Sequence, residues 1–163
     1  MTIKRKDLIS VIEKINKGLW EKQVKGDIIL YNNTCLSYLE NRNEAIEQLE
    51  ILCSPKQMIE EMFTGKEYEK LFTSKIQKDI SKNEKVRLHT KLSNLNIYCQ
   101  SLEYILAMKM KQARWDDLIA IGRLVRILHI ADIRHLEEMI EGFYNLNQID
   151  ERLLDEVAIK FIK

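Results

Sequence analysis

A chain of 163 residues with a net charge of +1, 45% hydrophobic and 31% charged side chains, is too apolar to be disordered, and its size fits one domain with a single core. One proline and five glycines supply few turns for a β-rich fold, so the composition points to long helices. Charge interrupts the apolar positions of the first twenty residues, unlike a signal peptide, and no stretch approaches the roughly 18 apolar residues of a membrane span.

The first predicted helix covers residues 4–17, with Leu8, Ile12, Ile15 and Leu19 at four- and three-residue steps. Gly18 and Gly26 bracket a weak stretch. Asp27 then stands where it can cap a second helix carrying Ile28, Tyr31, Cys35 and Tyr38 or Leu39. The run DIILY at 27–31 also fits a short strand, but no compatible partner strand is evident. Ala45, Ile46, Leu49, Leu52 and Cys53 mark a third helix. SPKQ at 54–57 reads as a capping box, with Ser54 as N-cap, Pro55 at the first helical position and Gln57 returning the bond. It opens a helix carrying Met58, Ile59, Met62 and Phe63, and a fifth helix uses Tyr68, Leu71, Phe72 and Ile76.

SKNE at 81–84 repeats the capping-box pattern ahead of the clearest periodicity in the chain. Leu88, Leu92, Leu95, Cys99, Leu102, Leu106, Lys109 and Ala113 alternate four- and three-residue steps, which is a heptad seam. One helix over 82–113 is expected, roughly 45 Å long at 1.5 Å per residue. Tyr98 and Ile105 widen its apolar face, as burial inside a bundle requires. Two further helices follow RWDD at 114–117. The last begins near NQID at 147–150 and carries Leu153, Leu154, Val157, Ala158 and Phe161. The expected fold is therefore all-α: one domain over 1–163, a bundle of about seven to eight helices around the long central one. The Leu88–Ala113 seam is where a homo-oligomer would form.

Charge is unevenly spread. Residues 66–134 carry 14 basic and 8 acidic side chains, whereas residues 135–163 carry 3 basic and 7 acidic. Either the acidic C-terminal segment neutralises the basic middle, or the middle offers a basic face to an anionic partner. In the second case Lys75, Lys78, Lys82, Lys85, Arg87 and Lys91 are the candidate nucleic-acid contacts, although no helix-turn-helix or RNA-stacking motif accompanies them. The stretch RLVRILHIADIRHL at 123–136 adds a second candidate. Apolar residues cover most of the predicted helix around it, leaving Arg123 and Arg126 on a narrow edge that Arg134 joins if the helix runs through Asp132. Asp132 reads instead as a helix cap, which would break that strip.

Arg123 and His129, with five residues between them, match the Arg-x(4–6)-His spacing, and in this the segment resembles the HEPN-type helical ribonucleases. The resemblance implies an RNA-cleaving pair acting at the 2′-hydroxyl and the scissile phosphate, usually across a dimer. It covers seven residues, and Leu124 stands where that family favours a polar residue.

No metal or cofactor is expected. Asp132 and His135 form one Asp-x-x-His, which supplies two ligands at most, and His89 and Cys99 would lie roughly 15 Å apart along a helix. Gly-rich phosphate loops and nucleophile elbows are absent. Cys35, Cys53 and Cys99 form no CxxC and read as reduced thiols of a cytoplasmic protein. Abundant Ile and Lys point to an AT-rich genome, as in low-GC bacteria and their phages. The functional expectation is a non-catalytic, cytoplasmic protein that binds another protein as a small regulator, adaptor, inhibitor or assembly subunit, without membrane contact. A nucleic-acid-binding subunit and the Arg123/His129 ribonuclease are the alternatives.

Overall fold

In the first hundred residues two runs bury every second side chain, and that two-residue period makes them strands. β1 (Gly26–Leu30) buries Gly26, Ile28 and Leu30, and a strand at Leu95–Gln100 sets Leu95, Ile97 and Cys99 directly beside them in parallel pairing. The computed structural model describes residues 3–40, 46–73 and 86–162, and all statements below concern these. The chain divides into two compact units, Met1–Gln100 and Ser101–Lys163.

The first unit runs α1 (Arg5–Glu21), β1, α2 (Asn32–Leu39), β2 (Ile51–Ser54), α3 (Lys56–Glu60), α4 (Gly65–Leu71), β3 (Val86–Lys91) and β4 (Leu95–Gln100). The sheet order is β2-β1-β4-β3, with β1 and β4 parallel and the two edge strands antiparallel to their neighbours. α1 buries Leu8, Val11, Ile12, Ile15 and Leu19. It lies so close to β1 that a Cβ on Gly26 would stand 2.6 Å from Leu19 Cδ1 and 2.9 Å from the Ser54 carbonyl oxygen. α2 covers the same face of the sheet, where the Tyr38 hydroxyl donates to Thr90 Oγ1 at 3.3 Å and Thr90 stands opposite Ile97. The other face carries one apolar row across all four strands, Leu52–Ile29–Tyr98–Leu88, with Leu52 37% and Leu88 43% exposed.

The second unit is helical: α5 (Leu102–Gln112), α6 (Leu118–Ile127), α7 (Ile133–Glu141) and α8 (Glu151–Phe161), with 3-10 turns at Trp115–Asp117 and Leu146–Gln148. Side chains cap three of its helices: Ser101 accepts from the Tyr104 N–H, Asp132 from His135 and Asp150 from Arg152. Ile105, Leu106, Met110, Ile121, Leu124, Val125, Leu136, Ile140, Leu153 and Val157 form its core.

The fold is thus α/β, not an all-α bundle. No helix spans 82–113. Within that range Leu88 lies in β3, Leu92 in the turn, Leu95 and Cys99 in β4, and Leu102, Leu106 and Lys109 in α5, with Ala113 closing α5 in the left-handed region at φ 51°. The heptad hid a shorter period, Leu95–Ile97–Cys99, and the polar turn before it is held by Asn16 Oδ1 accepting from the Asn94 N–H at 2.9 Å. The Leu88–Ala113 seam is therefore no continuous surface, and the oligomer contact built on it falls. The second predicted helix begins as β1. The third is an isolated bridge at Ile46, another at Leu49, and then β2. Ser54 ends β2 opposite Asp27 and makes no cap. Pro55 takes that position, without a side-chain bond. Ala45, Ile76 and the SKNE box at 81–84 lie outside the described residues.

In the second unit α6 and α8 cross at Gly122, where a Cβ would stand 2.6 Å from Cδ1 and Cζ of the Phe161 ring. Gly122→Val should therefore lower the urea-unfolding free energy by about 1–3 kcal/mol, the usual range for overpacking. Phe161→Ala in the same chain should return part of the loss. A Gly122→Val protein of unchanged stability would show that the helices do not meet there.

Candidate functional site

The arginine strip is broken as the Asp132 cap requires. α6 stops at Ile127, His129 takes φ 52°, and α7 starts after Asp132, whose carboxylate accepts from the His135 N–H at 2.8 Å. Arg123 and Arg126 remain together on α6, while Arg134 sits on α7 and pairs with Glu138 at 3.7 Å. His129 lies beyond the end of α6, exposed, so Arg123 and His129 do not share a helix face. Arg87 and Lys91 are on β3, opposite Cys99 and Asn96, and these partners point to opposite faces of β4. The two basic residues therefore form no common patch. Lys75, Lys78, Lys82 and Lys85 lie outside the described residues.

What the structure adds is apolar. Ile121, Leu124 and Val125 face the core, yet Trp115 is 55%, Ile119 67% and Ile127 43% exposed. At 100° per residue Ile119, Arg123, Arg126 and Ile127 fall within an arc of about 100°, and Trp115 stands one turn before Ile119. The outward side of α6 is thus a ladder of large apolar side chains with the exposed Arg126 and the half-buried Arg123. A helix apolar around most of its circumference reads from sequence as the centre of a bundle, whereas here Trp115, Ile119 and Ile127 are exposed.

Two contacts tie this face to its neighbours. Lys109 of α5, with a side chain only 5% exposed, donates from Nζ to Asp117 Oδ1 at 2.6 Å. Asp117 therefore ties the 3-10 turn bearing Trp115 to α5. At the other end the Arg126 guanidinium lies over the Phe161 ring, 5.8 Å from its centroid.

The thiols are not arranged as nucleophiles. All three cysteines are free. Cys35 Sγ donates to the Gln100 carbonyl at 3.6 Å, and its contact with Cys99, together with burial, pushes its ionisation up. Burial, reinforced by the Glu60 carboxylate, pushes the Cys53 thiol up to about 11. In the first unit, Asn32 at the carboxyl end of β1 takes φ 44°. Its N–H donates to Gln100 Oε1 at 2.9 Å and its amide to Glu50, while its Oδ1 is buried without a hydrogen-bond partner.

No family model, curated protein or solved structure matches the chain. Among the described residues no helix is long and apolar enough to cross a membrane.

Breaking the Lys109–Asp117 pair by Asp117→Ala removes a close carboxylate from a buried ammonium. It should cost about 3–5 kcal/mol, and Lys109→Met together with Asp117→Ala should cost clearly less than the two single losses combined. Equal and additive losses in a denaturant cycle would show that the pair carries no coupling. For Cys53, a thiol held near 11 is ionised in roughly one molecule per thousand at pH 8. Alkylation of native protein should therefore be slow at pH 8 and accelerate toward pH 11. Labelling as fast as for a free thiol at pH 8 would contradict that environment.

Proposed function

We propose that this chain works without catalysing a reaction, by binding a protein partner through the exposed face of α6, as a cytoplasmic regulator, adaptor, inhibitor or assembly subunit. The observation that carries the reading is the ladder Trp115–Ile119–Ile127, large apolar side chains left in water and interleaved with Arg123 and Arg126. A tryptophan and arginines in one contiguous patch is the composition of protein–protein hot spots. A surface built for nucleic acid would be dominated by basic side chains, with aromatic platforms in place of isoleucines. Three free cysteines are in keeping with a reducing compartment.

The test is covalent capture. A benzophenone amino acid replacing Ile119 should give a protein adduct in extract of the source cells, undiminished by nuclease. The same group replacing Lys6, exposed on α1, should not. Arg126→Glu in the Ile119-labelled chain should weaken capture tenfold or more, about 1.4 kcal/mol. Loss of the adduct on nuclease treatment, or equal capture from position 6, would overturn the proposal.

A further inference from the structure

We infer that the outer edge of β3 takes up an acidic extended segment of another protein as a fifth strand of the sheet. This surface is distinct from the α6 face and independent of it. Among the described residues β3 pairs with β4 alone, so the main-chain groups along its other side have no partner strand. Four of its six side chains, Arg87, Leu88, His89 and Lys91, are exposed. β2, the opposite edge, is four residues long and exposes only Leu52 and Ser54, with Cys53 half-buried against Tyr68 of α4.

Charge and alternation define the occupant. β3 carries Arg87 and Lys91 and no carboxylate, and among the described residues neither cation makes an ion pair. Lys25, which donates to the Ser93 carbonyl in the turn after β3, adds a positive charge at that end. The one carboxylate in the Lys91 row is Asp27, two strands away and already accepting from Asn96 Nδ2 at 2.8 Å. Arg87 and Lys91 point to opposite faces of the sheet, so no flat surface meets both. A strand laid along the edge does, because its side chains alternate in the same way, about 5 Å from those directly opposite. Between the two cations stands Leu88, the exposed end of the apolar row Leu52–Ile29–Tyr98–Leu88. An antiparallel segment reading Glu-Thr-Val-Glu, laid from Lys91 back to Arg87 past the bulge at His89, sets a carboxylate beside each cation and extends that row by its valine. A second copy of β3 is a poor occupant. Antiparallel pairing centred on His89 would set Arg87 of each copy against Lys91 of the other, like charges directly opposite. The bulge and the two cations keep the edge from pairing with itself, and the same cations select a segment of opposite sign.

Fluorescence anisotropy of the purified full chain with a labelled peptide tests this, the probe being Glu-Thr-Val-Glu with two threonines on either side and blocked ends. Saturable binding in the micromolar range is expected, weakening as salt rises. Arg87→Glu and Lys91→Glu should each weaken it at least tenfold. The double variant should instead take up the peptide with lysine in place of both glutamates. Strand addition itself is read from the main chain. In an added strand alternate N–H groups face β3, so of two probes N-methylated at alternate positions one should lose at least tenfold in affinity and the other keep it. Equal binding of these two to the native chain would reduce the interaction to charge attraction and overturn the inference. So would absence of saturable binding by the unmodified probe, or unchanged affinity in Arg87→Glu and Lys91→Glu proteins that melt cooperatively. Oligouridylate that displaces the probe and binds more tightly would make the edge a nucleic-acid contact and overturn it as well.

Discussion

Gly122 has no side chain, and the Phe161 ring fills the space that a Cβ would need. The second unit is organised by that contact. It draws α8 against one flank of α6, so the remaining apolar residues of α6 cannot be covered by α8 as well. Ile121, Leu124 and Val125 are taken up by the core, Gly122 by Phe161, and Trp115, Ile119 and Ile127 are left over. The Lys109–Asp117 pair closes the arrangement from the other end. A buried ion pair adds little net stability, but its geometry is directional, and it fixes where the turn bearing Trp115 departs from α5. The exposed ladder is thus a consequence of how the helix is held.

Much of the second unit was legible in the sequence. The Asp132 cap, the last helix with Leu153 and Val157 inward, and the break before α7 all rest on local rules, and these act within one or two helical turns. The first unit was not legible, because its decisive interaction is not local. β1 pairs with β4 in parallel across nearly seventy residues, and DIILY looked like a strand without a partner for that reason. The partner was concealed inside a stronger-looking signal. Leucines at 88, 92, 95, 102 and 106 satisfy a heptad while lying in two strands, a turn and a helix. Four- and three-residue steps over strand, turn and helix reproduce a coiled-coil pattern by coincidence, and Ser93–Asn94 supplied the turn without a glycine or proline to mark it.

The candidate site was half visible for a related reason. Arg123 and Arg126 stood out as charges in an apolar stretch, and they do lie on the outward arc of α6, Arg126 exposed and Arg123 half-buried. Ile119 and Ile127 did not, since an isoleucine in a helix with an apolar majority reads as core. Distinguishing them needs the position of Phe161, some forty residues on, which decides the flank of α6 that is covered. Arg87 and Lys91 fail in the opposite way. Neighbours on a helix face at a four-residue step, they point to different sides of a bulged strand.

The mixture on α6 also constrains the kind of complex it can make. Permanent interfaces resemble a core cut in half, and their isolated subunits are scarcely soluble. Here each exposed apolar residue has a guanidinium within a turn of the helix, which keeps the separate chain hydrated and breaks the patch into small areas. Desolvating Arg126 requires a carboxylate in return, so a purely apolar groove would be a poor partner and an acidic one a good partner. Orientation follows from the same residues: apolar contact alone would tolerate a rotation of the occupant about the helix, whereas two arginines on one arc do not. The proposed association is therefore of a kind that is reversible, sensitive to salt and specific in geometry, with the apolar ladder supplying the attraction and the arginines the selectivity.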